Sequence, residues 1–476
     1  MKRLYIIALL LVFSGGSFAQ TAAVYDLARC VEVAIENNLS VKRSLLQKEG
    51  ASVDLRQSRA SQLPSVNLGG NYGYNWGRSI DPTTNQFITQ QINFSGLNGN
   101  ANLVLFNWFR LANNVKQNRL LYESSTYDVE KAKNDLSLNI VTFYLNVIFN
   151  QELLETAEYQ LESSKEQLDR TKKLVAAGAL PITSELELTS QVASNEVSLI
   201  NAQNTLDLAF LSLKQAMMLP ASEKIDIVVP DIDVIDELVA LVNPNDIYAA
   251  ALTTMPEIKS AQLQVQSASL ALEVAKADFT PTLSLNAGFN TNYSNAFGQQ
   301  FVVNPTADPI PFDTDLETQS GESVFGFRQP GTFNDYTVGE QFSDNLSRSV
   351  SLNLSIPVFN GLRVNSNVQR SKIAMQQAEI TVAEQKNQLR QIIESAYNDA
   401  QAAAKTFDAS NRQVEALEET FRSIENQYNL GAVNFTDYQV ASNNLFGAKS
   451  DLVRAKFDFI FRKKILDFYM GNPITL

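Results

Sequence analysis

The residues of this sequence that could perform acid–base chemistry are carboxylates. Two pairs stand close together, Glu185 with Glu187 and Glu418 with Glu419. The 476-residue chain contains no histidine and one cysteine, so neither a Ser-His-Asp nor a Cys-His nucleophile can be assembled. The commonest zinc ligand sets are excluded for the same reason. Because paired carboxylates on amphipathic helices are usually solvated, we predict that the chain is not an enzyme and has no metal or other cofactor.

Two further features look chemical but are better explained by structure. Gly69, Gly70 and Gly73 lie in a stretch that alternates like a strand, and no helix opens after them, so they do not form a phosphate-binding loop. Cys30 is the only cysteine, and we interpret it as a small buried apolar residue. The formal net charge of −13 argues against nucleic acid as a partner.

The first residues have the order of a secretory signal peptide. Lys2 and Arg3 precede an apolar run at residues 4–13, and Ser17–Ala19 offers a cleavage site with small residues at both ends. The apolar run is shorter than the roughly 20 residues that a bilayer-spanning helix needs, and no later segment is long enough either. We predict an exported protein without a transmembrane helix.

An internal duplication decides the architecture before any single element is assigned. Residues 37–64 correspond to residues 254–281 at an offset of 217, and residues 106–220 correspond to residues 359–473 at an offset of 253. The difference between the offsets places 36 extra residues in the second copy. The predicted organisation is a signal peptide at 1–19, a first structural repeat at 20–242, and a second structural repeat at 243–476 with a longer loop near 291–346.

Both copies contain a heptad seam, which is typical of coiled coils. In the second copy the seam residues are Ile393, Ala396, Ala400, Ala403, Phe407, Ser410, Val414, Leu417, Phe421, Ile424 and Tyr428. In the first copy they are Ile140, Phe143, Val147, Asn150, Leu154, Ala157, Leu161, Ser164, Leu168, Thr171 and Val175. If Leu362 to Leu430 form one helix, its length is roughly 100 Å at 1.5 Å per residue.

Four segments between the helices alternate with period two and are predicted to be strands. Their alternating positions fall within residues 66–74, 101–105, 283–289 and 350–356, and the whole strands extend beyond the shorter of these ranges. Each would be about 9 to 11 residues long, which is the length of a tilted transmembrane strand. Aromatic residues near their ends suit a membrane interface, namely Trp76, Phe106, Trp108 and Phe359. A water-soluble four-stranded sheet is the alternative, and the signal peptide with the long helices favours the membrane.

Four strands cannot close a barrel, and an open sheet edge is not tolerated in lipid. The protomer is therefore expected to oligomerise. Three copies would supply twelve strands.

Two helix-to-helix turns carry the most specific signal. They are LVAAGALPITS at residues 174–184 and YNLGAVNFTD at residues 428–437. In the second turn Tyr428 stands three residues before Gly431, and Asp437 stands six residues after it. With the layout of the whole mature chain, these turns resemble the TolC-type outer-membrane efflux proteins.

The resemblance implies a mainly α-helical fold with a transmembrane β-barrel portion. Three protomers would form a twelve-stranded barrel in outer-membrane lipid, and their coiled-coil helices would form an α-helical barrel through the periplasm. The implied function is a passive exit duct of a tripartite efflux or type I secretion system in a Gram-negative cell. Its implied partners are two further copies of the chain, a periplasmic adaptor protein and an inner-membrane pump. The longer loop near 291–346 would be extracellular.

The resemblance also assigns roles to the turns, which would form the inner, periplasmic tip of the duct. Candidate residues for docking the adaptor are Gly178, Ala179, Leu180, Gly431, Ala432 and Val433. Candidate residues for a gate at the tip are Tyr428, Thr436, Asp437, Ser184 and Glu187.

The match to the family's gate is incomplete. Asp437 matches the family's iris aspartate. Val433 stands where the family can carry an arginine, and Val440 stands where it carries a second aspartate, whose place in the other copy is taken by Glu187. From the residues alone, Asp437 is better explained as an N-terminal helix cap than as a gate residue, and Gly178 and Gly431 are explained as helix C-termini.

The chief alternative function is a periplasmic coiled-coil scaffold or adaptor, in which the strands form a soluble cap. It explains the heptads. It does not readily explain why the complete unit of helices and strands occurs twice with aromatic residues at the strand ends.

Overall fold

A computed structural model describes residues 23–80, 85–89, 91–229, 243–296 and 298–472. The predicted signal peptide and its cleavage site lie outside the described residues. No helix in the described part of the chain combines the length and the apolarity needed to cross a membrane.

Long helices make up most of the structure. In chain order they are α1 (Leu27–Asn37), α2 (Leu39–Ala60), α3 (Arg110–Ala176), α4 (Ile182–Ala216), α5 (Pro244–Thr254), α6 (Pro256–Ala277), α7 (Val338–Asp344), α8 (Arg363–Asn429) and α9 (Phe435–Tyr469). The continuous helix expected between Leu362 and Leu430 is confirmed as α8.

Shorter segments form the strands. They are β1 (Ala23–Tyr25), β2 (Ser65–Asn75), β3 (Arg78–Ile80), β4 (Phe87–Thr89), β5 (Ile92–Phe106), β6 (Ile225–Ile227), β7 (Thr282–Ser294), β8 (Gln299–Val303), β9 (Ile310–Glu317), β10 (Ser323–Arg328), β11 (Gly331–Asp335) and β12 (Ser347–Ser355).

Eight of the described helices fall into four pairs of equal length. α1 and α5 have 11 residues each, α2 and α6 have 22, α3 and α8 have 67, and α4 and α9 have 35. The first residues of paired helices are 217 positions apart in the first two pairs and 253 apart in the last two.

Local sequence explains where the short helices begin. The Asp26 side chain caps α1 by accepting a hydrogen bond of 2.7 Å from the backbone N–H of Arg29. The Asn243 side chain caps α5 in the same way, by accepting a hydrogen bond of 2.9 Å from the backbone N–H of Asn245. Pro244 and Pro256 stand at the first positions of α5 and α6, where a missing backbone N–H costs nothing.

The described chain divides into two compact units. The helical unit consists of residues up to 52, residues 120–265 and residues from 376 onward, and the sheet unit consists of residues 53–119 and 266–375.

Within the helical unit, the heptad seams lie on the protected faces of α3 and α8. Ile140, Val147 and Thr171 on α3 are fully buried, as are Ile393 and Ala400 on α8. The other seam residues are buried or half-buried. The predicted seam is therefore confirmed as the packing face of both long helices.

Two apolar clusters form the main cores of this unit. The first brings α1, α3, α4 and α9 together and contains Tyr144, Leu213 and Phe459. The second joins α5 and α6 to α8 and α9. Cys30 belongs to the first cluster and is completely buried, and burial raises the pKa of its thiol to about 12. Its interpretation as a small apolar residue is confirmed.

The sheet unit contains an antiparallel four-stranded sheet in the order β12-β7-β5-β2. The four predicted strands are confirmed, but β5 has 15 residues and β7 has 13, so these two are longer than expected. The added part of β5, residues 92–100, is rich in Asn and Gly and gives no clear apolar alternation. Gly99 is required there because the Phe289 ring on β7 fills the space that a Cβ would occupy.

The residues between β7 and β12 are more ordered than the long loop that the sequence predicts. β8 pairs with β11 and β9 pairs with β10, each pair as an antiparallel hairpin. The capped helix α7 follows. This segment is fixed to β7 by hydrogen bonds from Thr291 to the Phe342 carbonyl (2.7 Å) and from Asn345 to the Asn292 carbonyl (2.9 Å).

Candidate functional site: the two helix-to-helix turns

The turn between α3 and α4 and the turn between α8 and α9 have the same backbone. Gly178 has a φ of +75° and Gly431 a φ of +74°. In each turn two backbone N–H groups donate to the last carbonyls of the long helix. In the first turn Gly178 donates to Val175 and Ala179 donates to Leu174. In the second turn Gly431 donates to Tyr428 and Ala432 donates to Gln427. This is the Schellman arrangement, in which glycine takes the left-handed position without steric cost.

The residues proposed to dock a partner are accessible in both turns. Gly178, Ala179, Gly431 and Ala432 are exposed, and Leu180 and Val433 are half-buried. Neither glycine has a neighbouring atom within 4 Å of the place where a Cβ would stand. The glycines are therefore required by backbone conformation and not by close packing.

The two turns begin their return helices differently. α9 is capped by the Asn434 side chain, which accepts a hydrogen bond of 2.9 Å from the backbone N–H of Asp437. α4 follows Pro181, which makes no side-chain capping bond. The cap of α9 is thus Asn434 and not Asp437, which corrects the capping interpretation of Asp437.

The acidic gate candidates point to solvent. Asp437 lies in the first turn of α9 and is exposed, as are Thr436 and Glu187. Within the described chain, the Asp437 carboxylate forms no hydrogen bond or ion pair. A carboxylate in this position is favoured by the partial positive charge at a helix N-terminus. Ser184, in contrast, is buried in the first turn of α4.

An aromatic cluster fastens α8 to α9 behind the second turn. The ring of Tyr438 lies 5.0 Å from that of Tyr428 and 5.5 Å from that of Phe421, between ring centroids. Phe435 lies 6.2 Å from Tyr428. Leu188 of α4 joins the same core. Phe421, Tyr428, Phe435 and Tyr438 are called the aromatic cluster below.

The hydroxyl groups of this cluster are strongly desolvated. Burial raises the pKa of Tyr438 to about 12, with the nearby Glu425 carboxylate acting in the same direction. The Tyr428 hydroxyl is buried and has no hydrogen-bond partner among the described residues. Tyr428 therefore packs against its own hairpin through its ring.

Polar contacts near the two turns connect the first helical hairpin, formed by α3 and α4, to the second helical hairpin, formed by α8 and α9. Arg170 of α3 donates a hydrogen bond of 2.7 Å to the Asn429 side chain at the end of α8. Gln439 of α9 donates to Gln191 of α4. The second contact continues into the first hairpin, because Gln191 donates to Asn195 (2.9 Å) and Asn195 donates to Ser164 of α3 (2.8 Å).

The candidate interface aromatics belong to the sheet unit and lie at strand ends. Trp76 is 72% exposed and stacks on Tyr74 at the end of β2. Phe106 ends β5 and makes an edge contact with Trp108. Phe359 follows β12 and is 82% exposed. Such exposure of large apolar rings is unfavourable in water and suits a lipid interface.

The paired carboxylates have ordinary surface roles. Glu418 forms an ion pair of 2.8 Å with Lys449 of α9, and Glu419 forms one of 3.0 Å with Arg422. Glu185 lies in the first turn of α4, where negative charge is favoured.

Three features around the two turns are not predicted by the sequence analysis. Phe435 and Tyr438 were not recognised as partners of Tyr428, Asn434 was not recognised as the cap of α9, and the polar contacts between the hairpins were not expected. The spacing of aromatic residues at 421, 428, 435 and 438 was the available signal for the cluster.

Comparison with known proteins agrees with this fold. The sequence model of the family "Outer membrane efflux protein" matches residues 30–217 and 247–471. The outer membrane protein TolC of Escherichia coli (strain K12) is 22% identical, over 99% of this chain and 87% of that protein. The cation efflux system protein CusC of the same strain is 22% identical, over 89% of this chain and 81% of that protein.

Solved structures share the fold at low sequence identity. The crystal structure of CusC superposes with a TM-score of 0.73 at 17% identity, covering 96% of each chain. The outer membrane protein VceC of Vibrio cholerae superposes with a TM-score of 0.72 at 16% identity, covering 94% of this chain and 97% of that one.

The fold and the family match identify an efflux channel of the outer membrane. The chain belongs to the outer membrane efflux protein family. The relatives are channel and efflux proteins, and the alternative of a periplasmic scaffold or adaptor is not favoured.

Proposed function

We propose that this outer-membrane channel is the passive exit duct of a tripartite efflux or type I secretion assembly. It docks through its two turns onto a periplasmic adaptor, which connects it to an inner-membrane pump. The observation that carries the proposal is the presence of two accessible turns with one backbone, centred on Gly178 and Gly431. The chain performs no catalysis, and the pump supplies the energy for export.

The sheet supports a trimer. β2 and β12 are the outer strands of the four-stranded sheet, and each has one edge without a partner among the described strands. In lipid such an edge leaves backbone groups unsatisfied at a cost of several kcal/mol each. Pairing β2 of one copy with β12 of the next, in three copies, satisfies every edge and gives a barrel of twelve strands.

The membrane boundaries follow from the same sheet. Exposed apolar residues such as Val66, Leu68 and Val350 alternate along its strands and face lipid. Trp76, Phe106, Trp108 and Phe359 lie in the interfacial layers. The two hairpins and α7, within residues 291–346, are extracellular.

The equal helix lengths support an origin by duplication, with repeats at residues 20–242 and 243–476. Each repeat supplies one long helix and one return helix to the periplasmic duct. Three copies therefore present six helix-to-helix turns at the tip. An adaptor that recognises one turn backbone can contact all six positions.

The gate is assigned to Asp437, with Glu187, Tyr428, Thr436 and Ser184 around it. Three exposed Asp437 carboxylates at the narrow end of a trimer would each be free to accept hydrogen bonds from a neighbouring subunit. An acidic ring also keeps the pore hydrated and favours cations.

Single-channel conductance in a planar bilayer tests this proposal. We expect small steps for the wild type and larger steps for Asp437→Ala, because the variant removes the acceptors that hold the tip closed. Asn434→Ala is the matched control, since it removes the helix cap and leaves the carboxylate.

The outcomes separate the roles of the two residues. Larger steps in Asp437→Ala alone support a gate. Equal effects of both variants would reduce Asp437 to a contribution to helix stability. A wild type that never conducts would contradict the duct.

A further inference from the structure

A small polar pocket lies between the two hairpins, behind the aromatic cluster. α3, α4 and α9 line it, with Gln160, Ser163, Ser164 and Gln167 contributed by α3. Its volume is about 20 Å³. A cavity needs about 10–15 Å³ to hold one water molecule, so this pocket has room for one and for no larger ligand.

One wall of the pocket carries an unsatisfied donor. Gln167 is 7% exposed, and its Nε2 atom is buried without a hydrogen-bond partner in the described chain. A buried amide N–H that finds no acceptor is strongly unfavourable, and native proteins almost always satisfy it. The Gln167 amide therefore requires an acceptor inside the pocket.

The neighbouring polar side chains are engaged with one another. Gln191 accepts from Gln439 and donates to Asn195, and Asn195 donates to Ser164. The Ser164 hydroxyl in turn donates to the Gln160 carbonyl, at 2.8 Å. This chain of bonds runs from α9 through α4 to α3 and ends on the backbone without reaching Gln167.

The chemistry of the lining selects an uncharged ligand. All of the polar side chains that line the pocket are amides and hydroxyls, and none is a carboxylate. The unsatisfied group is a donor, which a cation cannot satisfy. We propose that the pocket holds one ordered water molecule that accepts a hydrogen bond from the Gln167 amide and donates to oxygen atoms of the α4 and α9 lining.

The water would be an exchangeable link between the hairpins. Within the second hairpin α8 and α9 are held by apolar rings, which cannot slide without opening a cavity. Between the hairpins, apolar contacts of Leu168 and Leu188 with the aromatic cluster are accompanied by hydrogen bonds, which water can replace one at a time. This role rests on the proposed gate, whereas the water site itself does not.

A structure of the full-length protein at a resolution that shows ordered water tests the site. We expect one solvent peak about 2.7–3.2 Å from the Gln167 side-chain nitrogen in the wild type. The peak should be absent in Gln167→Met, in which an apolar side chain of similar length replaces the amide. Gln401→Met, at an exposed position of α8, should retain it.

Two results would overturn the site. One is a Gln167 amide bonded directly to a protein oxygen with no solvent peak in the pocket. The other is an anomalous peak at that position in crystals grown with thallium(I), which would identify a monovalent cation site.

Conductance tests the role separately. Gln167→Met should open about fivefold more often than Gln401→Met, as expected for the loss of one net hydrogen bond between the hairpins. Equal opening of the two variants would overturn the link even if the solvent peak is present. A wild type that does not conduct would contradict the duct, and the solvent peak would still decide the water site.

Discussion

The first and second helix-to-helix turns share a backbone but differ in how side chains support it. Gly178 and Gly431 adopt nearly the same left-handed conformation, and their backbone N–H groups donate equivalent hydrogen bonds. Behind Gly431, the aromatic cluster packs α8 against α9. Behind Gly178, the position equivalent to Phe435 is Ile182, which is 57% exposed.

This difference separates the backbone conformation that the turn requires from the side-chain packing that supports it. The backbone requirement has been retained in both copies, as expected if a partner reads the turn itself. The packing requirement has diverged. The second hairpin has an aromatic core of its own, whereas the first contributes Leu188 to that core and adds polar contacts from Arg170 and Gln191 to the second. The first hairpin should therefore be the more easily deformed of the two.

The largest expected effect comes from breaking the aromatic cluster. Phe435→Ala removes a ring that is 7% exposed and should cost the second hairpin about 3–5 kcal/mol of stability. Hydrogen–deuterium exchange of the first turns of α9 in the detergent-extracted protein measures this loss.

The first copy supplies the matched control. Ile182→Ala changes the equivalent position, and the cost should be about 1 kcal/mol or less because the side chain is already mostly exposed. If the two variants raise exchange equally, the hairpins are not supported in different ways.

High pH should destabilise the second hairpin through Tyr438. The ordinary pKa of tyrosine is 10.0, and burial raises that of Tyr438 to about 12. Below pH 10 the hydroxyl is neutral in both the folded and the unfolded chain, and the stability is unchanged. Between pH 10 and 12 only the unfolded chain loses the proton, so the free energy of unfolding should fall by about 1.4 kcal/mol per pH unit.

Thermal unfolding followed by circular dichroism against pH measures this slope. Tyr438→Phe keeps the ring and removes the titrating group, so its melting temperature should fall less steeply above pH 10. Tyr469, whose pKa burial also raises to about 12, lies in a different core and gives the comparison variant Tyr469→Phe. A wild type and a Tyr438→Phe variant with the same slope would contradict the assignment.

Replacing the turn glycines should affect both copies alike. An alanine at position 178 or 431 would have a left-handed backbone, which costs roughly 1–2 kcal/mol for a residue with a Cβ, and nothing at either position adds a clash. Exchange rates of the turn amides should rise by similar factors in Gly178→Ala and Gly431→Ala. Unequal effects would show that the two turns do not share one backbone requirement.

Much of the fold could be predicted because it depends on local periodicity. The heptads of α3 and α8 predicted their buried faces, and α8 differs from its expected bounds, Leu362 to Leu430, by one residue at each end. The outer halves of β5 and β7 escaped recognition because polar and glycine residues there give no alternation. The β-hairpins between β7 and β12 were also not predicted, because the sequence pattern does not show which segments pair with each other.

The tip was predicted only in part, for a physical reason. Glycine conformation is a local property, so Gly178 and Gly431 could be placed correctly from the sequence. Asn434 and Asp437 are both suitable caps, and the choice between them depends on where α9 begins. The aromatic cluster combines residues of two helices that meet only when the hairpin closes, and the roles of the gate candidates remain predictions.

At a third pair of equivalent positions, a substitution should increase the stability of the protein. α4 and α9 end in the same kind of turn, with Met218 (φ +56°) in the left-handed position of the first copy and Gly471 (φ +91°) in that of the second. Methionine pays the steric cost of that conformation, so Met218→Gly should stabilise the protein by about 1 kcal/mol or less, after the extra chain entropy of glycine is subtracted. Gly471→Ala is the reciprocal variant. It should destabilise the protein by more than Met218→Gly stabilises it, because a Cβ at position 471 would stand 3.1 Å from the Thr254 side chain. Thermal unfolding of the two variants measures both effects, an expected rise in melting temperature for Met218→Gly and an expected fall for Gly471→Ala. If Met218→Gly lowers the melting temperature, the Met218 side chain, which is 45% exposed, contributes more by its contacts than its backbone costs.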